Sequence, residues 1–85
     1  MRANGPSPDG LAASIAEIFR TVLGNPTLTI DADFFGAGGD SLLAVEAVFQ
    51  ISRAVGSEVD MTLVFMYPTA ESLADALVDS IQVQS

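Results

Sequence analysis

What most limits how this chain can fold is an absence: its 85 residues include no cysteine and no histidine. Disulfides and Cys/His zinc sites, the usual staples of small domains, are therefore excluded. A chain of this length buries only about 60–65% of the surface its unfolded form exposes. Its core has to come from the hydrophobic 49% of its residues, arranged with a regular period. No apolar run approaches the roughly 18 residues of a membrane span, and no basic stretch leads into an apolar one as in a secretion signal. The expected compartment is the cytoplasm.

The period is helical. Leu11, Ile15, Ile18, Phe19, Val22 and Leu23 fall on one apolar stripe. The helix that carries them is expected to start near Pro8 or Asp9 with Ser7 as its cap, and to stop at Gly24 with Pro26 beyond. A second helix is expected from about Ser41 to Arg53 or Ala54, before Gly56. A short third covers Met61 to Met66, capped by Asp60 and ended by Tyr67-Pro68. Thr69 caps a fourth, whose stripe is Leu73, Leu77 and Ile81 with Ala74 and Val78 alongside. Between the first two helices, Asn25 to Asp40 carries no helical period, yet holds Leu28, Ile30, Phe34 and Phe35, which are expected to pin it across the bundle. The fold class read from this pattern is all-α, a small four-helix bundle with a long first crossover loop and a short third helix. Residues 1–8 are expected to form a flexible tail, 9–81 the domain and 82–85 a frayed end. Met1 reads as a natural start, which favours a free-standing protein over an excised domain.

Charge and missing residue types exclude function classes. Eleven acids face only Arg2, Arg20 and Arg53, with no lysine, for a net charge of −8. Such a surface repels nucleic-acid phosphates and anionic membranes, and favours basic partners. Without His, Cys or Lys the chain has no Ser-His-Asp triad, thiol nucleophile, Schiff base or P-loop lysine. A binding or carrier module is favoured over an enzyme, and the expected state is monomeric.

Two readings compete for the glycine-rich end of the crossover. Asp31-Ala32-Asp33-Phe34-Phe35-Gly36 begins like a calcium loop, with acids at positions 1 and 3 and glycine at 6. It fails at position 5, where Phe35 offers no ligand, and at position 12, where Leu42 replaces the bidentate glutamate; no metal site is expected. In the second reading, Ser41 opens a helix after glycines that leave it sterically accessible, so an anion attached to its hydroxyl would lie near the positive helix end. Ser41 could equally be an ordinary N-cap.

The stretch Phe34-Phe35, Gly38-Gly39-Asp40-Ser41-Leu42 resembles the attachment motif of carrier proteins, in particular the peptidyl carrier (thiolation) domains of nonribosomal peptide synthetases. Leu63-Val64-Phe65-Met66-Tyr67-Pro68-Thr69 with Leu73-Ala74 resembles the family's second landmark, at the family's spacing. The resemblance spans about residues 9 to 81. It departs at Ala37, where the family usually has leucine, and at Met66, where an acid or polar residue is common; Asp40 in place of histidine is a variant within the family. The paired aromatics and doubled glycine favour a peptidyl over a fatty-acyl carrier.

The resemblance implies that Ser41 receives 4′-phosphopantetheine from coenzyme A through a phosphopantetheinyl transferase, with Gly38, Gly39, Asp40 and Leu42 forming the surroundings of the attachment. The arm's thiol then holds an aminoacyl or related acyl group as a thioester, exchanged with adenylation (loading) and condensation or tailoring enzymes. This fits a chain without His, Cys or Lys, which has no thiol and nothing to activate Ser41. A polyketide or fatty-acid carrier using the same serine, and an unmodified helical interaction module, are the alternatives.

The second helix also carries a sided pattern. With Leu42 at zero and about 100° per residue, Leu43, Ala44, Ala47, Val48 and Ile51 fill a charge-free arc from roughly 100° to 240°, which should face the core. Leu42, Val45 and Phe49 form a second apolar stripe beside Glu46 and Arg53. Charges are rarely buried unpaired, so this stripe should face solvent next to Ser41, where a partner-docking surface would explain it; burial under the crossover loop is the alternative.

Overall fold

The computed structural model describes the backbone of residues 8–84 and the side-chain surroundings of residues 10–79. The expected tail before Pro8 and the Ser7 cap lie outside the described residues. Four helices follow one another: α1 (Pro8–Leu23), α2 (Ser41–Val55), α3 (Met61–Met66) and α4 (Ala70–Gln84), with no strand among the described residues. α1 packs against α4 and α2, while α3 bridges α2 and α4.

The apolar periods bury as their spacing dictates, with alanines adding close contact. α1 buries Ala12, Ile15, Ala16 and Phe19, and half-buries Leu11, Ile18, Val22 and Leu23. α4 buries Ala70, Leu73, Ala74, Leu77 and Val78. On α2, Ala44, Ala47 and Ile51 are buried, and Leu43 and Val48 pack half-buried beside them. The largest wholly buried side chains are Phe19, Phe34, Ile15, Ile51, Leu73 and Val64. Each contributes about 1.5–3 kcal/mol of burial. Among the described residues no polar or charged residue is buried.

Caps fix where the elements begin and end. Gly56 closes α2 at φ 73° and donates its N–H to Ser52 O, the left-handed ending that glycine makes without a Cβ penalty. Ser52 Oγ accepts from Val59 N at 3.0 Å, tying the short link into α3. Asp60 caps α3 by accepting from Thr62 N at 2.9 Å. These bonds, the Thr62 N–H first and its hydroxyl second, hold the exposed Asp60 carboxyl below its ordinary 3.8. At the start of α4, Thr69 Oγ1 accepts from Ser72 N, and Ser72 Oγ accepts in return from Thr69 N. This is a reciprocal capping box.

Three departures from the sequence pattern have local causes. α2 runs on to Val55, because the glycine that ends it is Gly56. α4 continues to Gln84, past Ile81. Ile30 does not pin the crossover with its side chain, which is 40% exposed; its carbonyl does the tethering instead, accepting from Glu71 N at the open start of α4.

Candidate functional site

The crossover reaches the start of α2 by a path fixed at several points. Arg20 Nε donates to Leu28 O at 2.8 Å, and the Leu28 side chain is buried. Phe34 N donates to Pro68 O at 2.8 Å, fastening the loop to the junction of α3 and α4. The Phe34 ring is wholly buried, 4.7 Å from the Phe19 ring and 5.2 Å from that of Phe35. Past it, the chain turns back on itself: Ala37 N bonds Asp33 O, Gly38 N bonds Phe35 O and Gly39 N bonds Phe34 O.

The two glycines at 38 and 39 serve different needs. Gly38 has φ 109°, a backbone state that L side chains rarely adopt. Gly39 has no such strain, but a Cβ there would collide with Cε2 and Cδ2 of Phe34 and with its carbonyl oxygen. Its lack of a side chain lets the loop lie directly on the buried ring.

Asp40 is the N-cap of α2: its backbone is extended, and its carboxylate accepts from Leu43 N at 2.9 Å. Ser41 is therefore the first residue inside the helix and not its cap, which leaves its hydroxyl uncommitted. Ser41 and Leu42 are exposed, and among the described residues no protein acceptor meets their N–H groups. An exposed hydroxyl thus stands beside two open donors at the positive end of a 15-residue helix.

The acids that suggested a calcium loop are engaged within the loop. Asp33 Oδ1 accepts from Phe35 N and Gly36 N, and Asp31 Oδ1 from Thr29 Oγ1. Among the described residues no group of three potential ligands could hold a metal ion.

Beside Ser41 the second stripe of α2 is open: Leu42 is 78% exposed, Val45 52% and Phe49 58%. The crossover does not cover it. Phe35 stacks instead on Phe65 of α3, centroids 5.0 Å apart and planes 6° from parallel. Phe65 (45%) and Met66 (60%) carry the exposed apolar surface on to α3, where the sequence reading assigned no surface role. The signal was available: a six-residue helix has one flank to bury, and Phe65 and Met66 are adjacent on it.

The family model for the phosphopantetheine attachment site matches residues 13–77, which contain the whole of this arrangement. The chain belongs to this family. Its prosthetic group is covalently attached 4′-phosphopantetheine, and its members are carriers and not catalysts.

Curated relatives match this chain over part of their own length. It is 42% identical over 64 residues to tyrocidine synthase 3 of Brevibacillus parabrevis, covering 75% of this chain and 1% of that protein. It is 32% identical over 71 residues to dapdiamide synthesis protein DdaD of Enterobacter agglomerans, covering 84% of this chain and 12% of that one. The chain thus spans a small fraction of these relatives' length. Among solved structures, it resembles a free-standing peptidyl carrier protein from Acinetobacter baumannii, with a TM-score of 0.80, 25% identity and coverage of 88% of this chain and 96% of that one. It also resembles one chain of the structure of the transferase Sfp in complex with coenzyme A and a peptidyl carrier protein, with a TM-score of 0.75, 29% identity and coverage of 94% of this chain and 99% of that one. No helix among the described residues is long and apolar enough to cross a membrane.

The residues present fit the prosthetic group. A phosphodiester on Ser41 Oγ would lie at the open helix N-terminus, whose donors favour an anion. Among the described residues no protein group bonds Ser41 Oγ, and the nearest carboxylate in sequence, Asp40, is committed to Leu43 N. Among the described residues no group is hydrogen-bonded to Ser41 Oγ so as to take its proton.

Proposed function

We propose that this chain is a peptidyl carrier protein of nonribosomal peptide or hybrid natural-product biosynthesis, and that Ser41 is its attachment residue. The observation that carries this is the exposed Ser41 hydroxyl, the first residue of α2 and free of capping duty because Asp40 performs it. Gly38 and Gly39 bring the chain to that point, Asp40 starts the helix, and Leu42 flanks the serine. When bound, 4′-phosphopantetheine supplies the thiol that the chain lacks and holds an aminoacyl or related acyl group as a thioester.

The roles of this chain's own residues follow. Ser41 Oγ would attack the pyrophosphate phosphorus of coenzyme A that carries the pantetheine arm, the P–O bond to the adenosine 3′,5′-bisphosphate half would break and that nucleotide leave, and the serine proton would pass to a base on a phosphopantetheinyl transferase, since no described group of this chain bonds Ser41 Oγ. The open N–H groups of Ser41 and Leu42 favour the resulting negative charge. Leu42, Val45 and Phe49 are the docking face for the transferase, an adenylation enzyme, and condensation or tailoring enzymes. A free-standing, cytoplasmic monomer is part of this proposal; the likeness to the free-standing Acinetobacter carrier supports the first of these.

The test is a loading panel. The holo protein is offered to adenylation enzymes with amino acids, and separately to acyltransferases with malonyl or acyl coenzyme A; acylated protein is read by intact mass. Aminoacylation by an adenylation enzyme is expected. Exclusive acceptance of malonyl or acyl groups would make the chain a polyketide or fatty-acid carrier instead.

A further inference from the structure

Among the described residues there are two arginines, and they are used differently. Arg20 is engaged within the chain: its Nε bonds Leu28 O and its Nη1 bonds Glu17 Oε1 at 3.0 Å. Arg53 has no carboxylate or carbonyl partner among the described residues, although the chain carries eleven acids. Even Glu46, on the same side of α2, gives its carboxylate to Gln50 Nε2. The Arg53 guanidinium lies over the Phe49 ring, 5.7 Å from its centroid. Phe49 is one turn back on the same face and belongs to the exposed stripe.

This arrangement leaves the forked donors of the guanidinium without a hydrogen-bonding partner among the described residues, while its Cζ lies over an aromatic ring. An apolar stripe alone does not fix how a helix is rotated or slid in a partner's cleft, because apolar contact is non-directional. A forked charge contact does fix it. Arg53 lies about 18 Å along the helix from Ser41 at 1.5 Å per residue, so a contact there sets the lever that aims the serine and its arm.

Resting on the docking role proposed for Leu42, Val45 and Phe49, we infer that Arg53 is a specificity determinant that pairs with a carboxylate at the rim of the loading enzyme's docking cleft. The cleft is then apolar where it receives Leu42, Val45 and Phe49, and acidic about three turns from the site that receives Ser41. This inverts the expectation from overall charge. A carrier of net charge −8 should be drawn to basic partners. Removing one positive charge takes −8 to −9, and should then leave docking unchanged or improve it.

The test uses the adenylation enzyme that loads the holo protein best in the panel above. Loading kinetics are measured for wild type, Arg53→Gln, Arg53→Lys and Val45→Asp, each checked for an unchanged thermal melt. Arg53→Gln is expected to raise KM about tenfold with kcat unchanged, the scale of one charge-assisted hydrogen-bonding pair. Arg53→Lys keeps the charge but loses the fork, and is expected to recover only part of that loss. An ordinary helix-end arginine, favoured only by the helix dipole, would instead shift the melt and leave KM alone. KM unchanged or lowered in Arg53→Gln overturns the inference. If Val45→Asp is also silent, the docking face itself is wrong; if Val45→Asp abolishes loading while Arg53→Gln does not, only the role of Arg53 falls.

Discussion

Replacing Gly39 with alanine adds a single methyl group at the point where the crossover lies on the core. A Cβ at this position meets the Phe34 ring at Cε2 and Cδ2, and Phe34 O at 2.7 Å. None of these atoms is the loose end of a flexible side chain. The ring is wholly buried against Phe19, and the carbonyl is already held by Gly39 N. Either the ring or the loop must move. Overpacking of this kind costs about 1–3 kcal/mol, and near 2 kcal/mol a domain of this size should melt roughly 8–16 °C lower. The displaced loop leads directly into Asp40 and Ser41, so modification by a phosphopantetheinyl transferase should slow as well. Thermal melts followed by circular dichroism, with Gly39→Ala in wild-type and Phe34→Leu backgrounds, test this. The penalty should be clearly smaller when the ring is gone, because the two sites share one contact. An equal penalty in both backgrounds, or a melt within a degree or two of wild type, would refute the close-approach argument.

Three other outcomes follow from the same geometry. Val45→Asp and Phe49→Asp should leave helicity and melting nearly unchanged, since both side chains are more than half exposed, yet sharply weaken loading; a Phe49→Asp protein that unfolds would place Phe49 in the core. Calcium titrated into the apo protein should give no saturable micromolar transition, because Asp33 and Asp31 accept hydrogen bonds within their own loop, and weak effects should be matched by other salts. The Asp60 carboxyl is held below its ordinary 3.8 by Thr62, so its contribution to stability is complete above that value and lost as pH falls through the lowered one; Asp60→Asn should flatten the acid limb of a stability-versus-pH curve, its small deficit showing near neutrality and vanishing at low pH.

The sequence made the helices legible because their apolar spacing and caps agree. The stripe of α1, Asp60 before α3 and Thr69 before α4 each point to the element found. The sidedness of α2 was legible for the same reason: Glu46 and Arg53 mark which of its two apolar arcs cannot be buried. Other features depend on contacts distant in sequence. Whether Ser41 or Asp40 caps α2 turns on one residue of register, which the crossover path sets through Phe34 N on Pro68 O. Phe35 stacking on Phe65 and Ile30 tethering by its carbonyl are likewise settled by tertiary packing. The need for Gly39 arises from the ring of Phe34, five residues earlier, and no local propensity records it.

The central claim is that Ser41, uncommitted at the head of α2, is the attachment residue. Intact mass spectrometry of wild type and Ser41→Ala, each incubated with coenzyme A, a divalent metal and a broad-specificity phosphopantetheinyl transferase, tests it most directly. Because Asp40 does the capping, Ser41→Ala should melt within about 0.5 kcal/mol of wild type, so both proteins enter the assay folded. Wild type should gain one phosphopantetheinyl mass and Ser41→Ala none. The same gain in Ser41→Ala, or none in wild type, would contradict the assignment.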